Sequence, residues 1–139
     1  SSLSIDKTGI THATNNAMAG AVHSVLLRAR HCGLVKPDYS NAIVLVDGNI
    51  PLNIKYKQEI IVRGDQKSKS IAAASIIAKH NRDNYMIFLD LYEPWKVYEF
   101  NHNKGYGTKQ HISALRQHGF CNHHRKTFKP VKNLCQNQN

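Results

Sequence analysis

Val46-Asp47-Gly48-Asn49, Ile60-Ile61-Val62-Arg63-Gly64-Asp65 and Ser70-Ile71-Ala72-Ala73-Ala74-Ser75-Ile76-Ile77-Ala78-Lys79 follow one another in a single central stretch. Two short apolar runs, 42–46 and 59–62, each lead to an aspartate beside a glycine. That is the profile of buried strands that bring a carboxylate to a sheet edge. The first run is apolar throughout, which predicts burial on both faces, as in a sheet flanked by helices. The alanine-rich segment predicts a helix with Ser70 as its N-cap, its small side chains allowing close approach to the sheet. Strands mixed with helices place the chain in the α/β class.

Upstream, Ala13, Ala17, Met18, Ala21, Val22, Val25 and Leu26 form a helical stripe that ends near His31-Cys32-Gly33, where Gly33 suits a C-terminal cap. Residues 1–11 show no strong pattern and no initiator methionine. Pro37-Asp38 marks a turn, and 51–57 reads as a loop. Downstream, the helical pattern runs through Met86, Phe88, Leu89 and Leu91 to Pro94. Thr108 then caps a last helix through His111, Leu115 and His118, closed by Gly119. Residues 121–131 are basic and irregular, and the polar tail 136–139 is expected to fray.

At 139 residues the chain is the size of one domain, 1–139. A net charge of +10 and a pI near 9.7 point to a polyanionic partner, most simply nucleic acid, although a basic surface with no partner has the same composition. Three cysteines without a CxxC pair predict a reducing cytoplasm rather than a disulfide framework. Cys121, His123, His124 and Cys135 crowd together but match no standard zinc spacing. No run of about 18 apolar residues occurs, so neither a membrane span nor a signal peptide is expected.

Asp47 and Asp65 are the candidate metal ligands and catalytic groups. Hard divalent cations prefer oxygen donors, and two-metal phosphoryl chemistry needs carboxylates on a rigid frame. The same Asp-Gly and Gly-Asp pairs also suit ordinary turns, and two acids fall short of the three or four such sites use. Asp83, four residues after Lys79, suits a helix-surface ion pair. In Lys104-Gly105-Tyr106-Gly107-Thr108, two glycines let the backbone approach a sugar-phosphate chain while the tyrosine ring packs on it. A glycine turn with a half-buried tyrosine reads the same way. His123-His124-Arg125-Lys126-Thr127-Phe128-Lys129 is a candidate phosphate-contacting segment or a solvated basic terminus.

These blocks, with Arg82-Asp83, His111 and the earlier Ile5-Asp6 and His12-Ala13-Thr14, resemble ribonuclease HII in the same order and over nearly the whole chain. The resemblance implies a ribonuclease H-like fold with C-terminal helices. It also implies Mg²⁺- or Mn²⁺-dependent cutting of RNA in RNA–DNA hybrids and incision 5′ of ribonucleotides embedded in duplex DNA. Products would carry 3′-hydroxyl and 5′-phosphate ends. It further implies a monomer in the complete enzyme, with no membrane partner. Asp47 and Asp65 fall on two of the family's metal-binding carboxylates, and Tyr106 on the tyrosine that packs against the ribose at the RNA–DNA junction. The 2′-hydroxyl is what separates the two sugars there. Lys104, His111 and Arg125 fall on backbone contacts or their supports. The family's Asp-Glu-x-Gly-Arg-Gly motif is absent, so the expectation is a partial catalytic domain. It would lack the first core strands and two carboxylates, leave an apolar sheet edge uncovered, and show weak or no activity alone.

Two other readings stand beside this one. A metal-independent ribonuclease would use two of the nine histidines as acid and base, leave a cyclic phosphate, and ignore chelators. A non-catalytic basic module would bind nucleic acid in a salt-dependent way whatever stands at position 47.

Overall fold

The structure, a computed structural model, describes residues 1–136. In chain order the elements are α1 (Ser2–Thr8), α2 (Ile10–His31), β1 (Val44–Asp47), β2 (Gln58–Ile61), α3 (Gly64–Lys67), α4 (Lys69–Asp90), α5 (Glu93–Lys96), α6 (Phe100–Asn103), α7 (Lys109–His118) and α8 (Val131–Gln136). The α/β class expected from the sequence holds. The chain forms two compact units, Ile10–Ile76 and Ser1–Gly9 joined by Ile77–Asn139, and α4 runs through the division. The frayed tail expected at 136–139 lies largely outside the described residues, and Gln136 itself closes α8.

In the unit Ile10–Ile76, β1 and β2 pair in parallel, Val46 opposite Ile60 and Asp47 opposite Ile61. The ten residues 48–57 carry the chain back between them without a helix, short for a parallel connection. Side-chain amides hold this loop. Asn15 of α2 donates to the Pro51 carbonyl (2.9 Å) and accepts from Asn53 N–H (3.2 Å). Gln58 grips Leu52 the same way, at 2.9 and 3.0 Å. α2 ends as expected: Gly33 has φ 70°, and the Leu34 N–H reaches back to the Ala29 carbonyl (2.9 Å), the hydrogen bond of a Schellman cap.

Three expectations need correction here. Burial on both sheet faces does not occur: Val46 is buried, but Ile43 and Ile60 are exposed, because two four-residue strands offer too little area to be enclosed on both sides. The alanine-rich helix does not lie along the sheet. Strands of four residues span about 13 Å, whereas the 22-residue α4 is about 33 Å long. Within the alanine-rich part, 70–79, only Ile71 is buried, and Ile76 is 69% exposed. The α4 cap is Ser68, not Ser70; its hydroxyl accepts from Ile71 N–H at 3.5 Å. Ser68 is extended at the end of α3, which frees its hydroxyl for that role.

The other unit has its own core. Leu89, Tyr98, Phe100, Leu115 and Val131 are buried together, with Met86, Trp95 and Phe120 against them. Thr108 caps α7 by accepting from His111 N–H (3.2 Å), and Gly119 ends it at φ 76°, both as expected. Pro94 does not stop α4, which has already ended at Asp90; it sits in the first turn of α5, where a missing N–H costs nothing. Residues 1–8, patternless in sequence, form α1 with Ser1 as cap. Phe100, 2% exposed, is the anchor of this core. A Phe100→Ala variant is expected to lose about 3–5 kcal/mol, read as a lower denaturant midpoint. A loss well under 1 kcal/mol would remove the ring from the core.

Candidate active site

Asp47 closes β1, as read from the sequence. Asp65 does not end β2. The strand stops at Ile61, the chain turns through Arg63 in the left-handed region (φ 55°, ψ 48°), and Asp65 stands in the first turn of α3. The turn is held by one bond: Gly64 N–H donates to Asp47 Oδ1 at 2.7 Å. That bond brings the peptide preceding Asp65 against the end of β1. Gly64 leaves little room for a side chain there. A Cβ at this position would meet Ile71 Cδ1 at 2.5 Å and Asp47 Oδ1 at 3.3 Å. Both aspartates are exposed at the surface. A cleft of about 270 Å³ borders Asp47, lined also by Thr11, Thr14, Asn15 and Gly48.

Both carboxylates are hard oxygen donors of the kind Mg²⁺ and Mn²⁺ prefer. In kind, therefore, they fit the metal that the resemblance implies. In number they stop at two: among the described residues no three His, Cys, Asp or Glu side chains gather as a metal-binding group.

Tyr106 lies in the other unit, its ring 56% exposed. Lys79 Nζ and Arg82 Cζ, both on α4, stand over that ring at 5.2 and 5.1 Å from its centroid. Asp83 braces the two cations. It accepts from Lys79 at 2.5 and 2.7 Å and from Arg82 at 3.3 Å. The Lys79 hydrogen bond holds the Asp83 carboxyl below its usual range and raises the Lys79 ammonium. The i,i+4 spacing made this pair legible; the approach of Lys79 and Arg82 to a ring more than twenty residues onward left no signal in the sequence.

The remaining expected residues sort differently. Lys104 has a left-handed backbone and folds its ammonium back onto the Asn101 carbonyl. Gly105 (φ 77°) faces Met86, which would stand 3.0 Å from a Cβ there. His111 is buried, with Nδ1 2.9 Å from the Tyr106 carbonyl and Nε2 3.1 Å from His124 Nε2. It therefore supports the tyrosine loop from beneath. Arg125 is half-buried over the Phe128 ring. Its loop is pinned by Asp6 of α1, which accepts from Lys126 N–H (2.8 Å), Thr127 N–H (3.0 Å) and the Thr127 hydroxyl (2.7 Å). Burial pushes the Asp6 carboxyl up, but the bonds from Thr127 and Lys126 outweigh it and hold the group low. His123 sits edge-on to Trp95 (centroids 4.4 Å apart), and Cys121 Sγ lies 3.2 Å from His124 Nδ1.

Comparison with known proteins agrees with the blocks read from the sequence. The ribonuclease HII family model matches residues 3–131, and the chain belongs to that family. It is 45% identical over 131 residues to ribonuclease HII of Endomicrobium trichonymphae, covering 94% of this chain and 56% of that protein. It is 43% identical over 130 residues to the Macrococcus caseolyticus enzyme, covering 94% and 44%. For Pelagibacter ubique the figures are 41% over 131 residues, 94% and 63%. The chain thus spans about half the length of the curated relatives it matches.

Two predictions follow from this geometry. Gly64→Ala is expected to cost about 1–3 kcal/mol by overpacking and to shift the Asp47 signals in NMR spectra; unchanged stability would show the contact to be loose. The second concerns acid. Burial, and secondarily the neighbouring His111, push His124 down from its ordinary 6.5 to about 4. Between those values the unfolded chain binds a proton that the folded chain does not. Stability is therefore full above pH 6.5 and falls as pH drops toward 4, by up to about 3 kcal/mol. Asp6 acts in the same sense at still lower pH. Denaturant midpoints at pH 7.5 and 5 should differ in wild type and converge in His124→Phe.

Proposed function

We propose that this chain contributes two carboxylates and a substrate platform to a divalent-metal endonuclease. That enzyme hydrolyses the RNA strand of RNA–DNA hybrids and incises duplex DNA 5′ of embedded ribonucleotides, leaving 3′-hydroxyl and 5′-phosphate ends. The supporting observation is the Gly64–Asp47 bond, which holds the residue before Asp65 against the Asp47 carboxylate. Asp47 and Asp65 would hold Mg²⁺ or Mn²⁺. When bound, such ions activate water and neutralise the leaving oxygen. Tyr106, exposed and flanked by Lys79 and Arg82, packs against the ribose at the junction while those cations face the neighbouring phosphates. Lys104 and Arg125 contact the backbone, and His111 supports the loop. The three free thiols suit a reducing cytoplasm, and among the described residues no helix is long and apolar enough to cross a membrane. The enzyme acts as a monomer on its duplex.

The test is a labelled duplex carrying one ribonucleotide. Cleavage should require Mg²⁺ or Mn²⁺, stop with EDTA, and yield the stated ends. Asp47→Asn should lower both cleavage and Mn²⁺ affinity at least about 100-fold, since even changes behind the ligands cost metal sites about 10- to 100-fold. EDTA-resistant cleavage ending in a cyclic phosphate would instead establish the histidine mechanism. Salt-dependent binding with a Mn²⁺ affinity that Asp47→Asn leaves unchanged would establish a binding module.

A further inference from the structure

A buried hydrogen-bond relay ends on the backbone of Tyr106. The Tyr106 carbonyl can only accept, so His111 Nδ1, 2.9 Å away, carries a proton. At the far end Cys121 N–H, 3.0 Å away, needs a lone pair on His124 Nδ1, so the His124 proton sits on Nε2 and is donated to His111 Nε2 at 3.1 Å. The opposite tautomer at either histidine would set two donors, or two lone pairs, face to face. Both rings are buried, at 4% and 8% exposed. Tyr98 and Phe100 enclose them, with centroids 4.7 and 5.6 Å from that of His124. The thiol of Cys121, pushed up by burial, stays neutral beside the relay.

The other side of the Tyr106 peptide is fixed too. Its N–H donates to the Asn103 carbonyl at 2.8 Å, and Gly105 N–H to Asn103 Oδ1 at 2.7 Å. The main chain is thus clamped at both ends while the ring projects into solvent. We propose that His124 is a positioning residue for Tyr106: through His111 it fixes the peptide from which the ring projects, and with it the discrimination between ribose and deoxyribose. This rests on the assignment of Tyr106 as the sugar-contacting residue.

The experiment compares affinities of the protein for a duplex with one ribonucleotide and for the all-DNA duplex, in metal-free buffer, for wild type, Tyr106→Ala, His124→Phe and His124→Gln. His124→Phe should lower the affinity ratio roughly 3- to 30-fold and leave all-DNA binding within about twofold. His124→Gln should restore most of the ratio, because its amide can donate to His111 Nε2. Ring ¹⁵N shifts of the unaltered protein should show the proton on Nδ1 of His111 and on Nε2 of His124. If Tyr106→Ala lowers the ratio and His124→Phe does not, or lowers both affinities alike, His124 is merely structural and the proposal fails while the Tyr106 assignment stands. If Tyr106→Ala itself leaves the ratio unchanged, that assignment fails and the proposal with it. The opposite tautomers in the ring spectra would overturn the relay directly, whatever the variants do.

Discussion

Gly64 N–H donates to Asp47 Oδ1 across 2.7 Å, and the local structure of the carboxylate site depends on that bond. To make it, the chain leaving β2 must reverse within two residues, which puts Arg63 in the left-handed region. It must also bring residue 64 so close to β1 that a Cβ there would force the end of the Ile71 side chain to shift. The cost of a non-glycine residue at positive φ, about 1–3 kcal/mol, persists only where the surroundings over-determine it. Here a charge-assisted hydrogen bond and the packed Ile71 do so. The bond also orients Asp47: with one oxygen committed to the backbone, the carboxylate keeps lone pairs for a cation.

The chemistry of this region was more legible than its shape. Val46 and Asp47 read correctly as the buried end of a strand and its acid, because an unbroken apolar run and a following glycine are local signals. The caps of α7 at Thr108 and Gly119 were equally plain, since a cap depends on residues three or four apart. Asp65 was misplaced because the apolar run 59–62 extends past the last ladder residue, and nothing local shows that Val62 and Arg63 leave the sheet. Ser68 was overlooked for Ser70 for a related reason: two serines flank Lys69, and only the short α3 before them decides which is extended. The alanine run promised close packing, but small side chains permit approach without enforcing it.

Contacts across long sequence separations were invisible. Asp6 reaches Lys126 and Thr127 over about 120 residues, and the segment around it shows no strong pattern in the sequence. His111 and His124 sat in segments singled out for phosphate contact, yet the structure buries both. Their sequence neighbours are basic, yet the rings turn inward, packing against Tyr98 and Phe100 and hydrogen-bonding to each other. Basic segments thus divide their labour: Lys79, Arg82 and Arg125 keep their charges at or near the surface, while His111 and His124 turn their rings inside.

That division bears on how phosphate chemistry could proceed. Acid–base cleavage by histidines needs two rings that reach the substrate, one able to gain a proton near neutral pH. Among the described residues, the two histidines that hydrogen-bond to each other are His111 and His124. Their nitrogens face a carbonyl, one another and a backbone N–H, and His124 resists protonation down to about pH 4. A ring so placed neither accepts a proton from a 2′-hydroxyl nor returns one to a leaving oxygen. The carboxylates of Asp47 and Asp65, by contrast, lie exposed at the surface. The buried pair therefore cannot serve as the acid and base of a histidine ribonuclease, and its contacts leave it a supporting place beneath the Tyr106 loop.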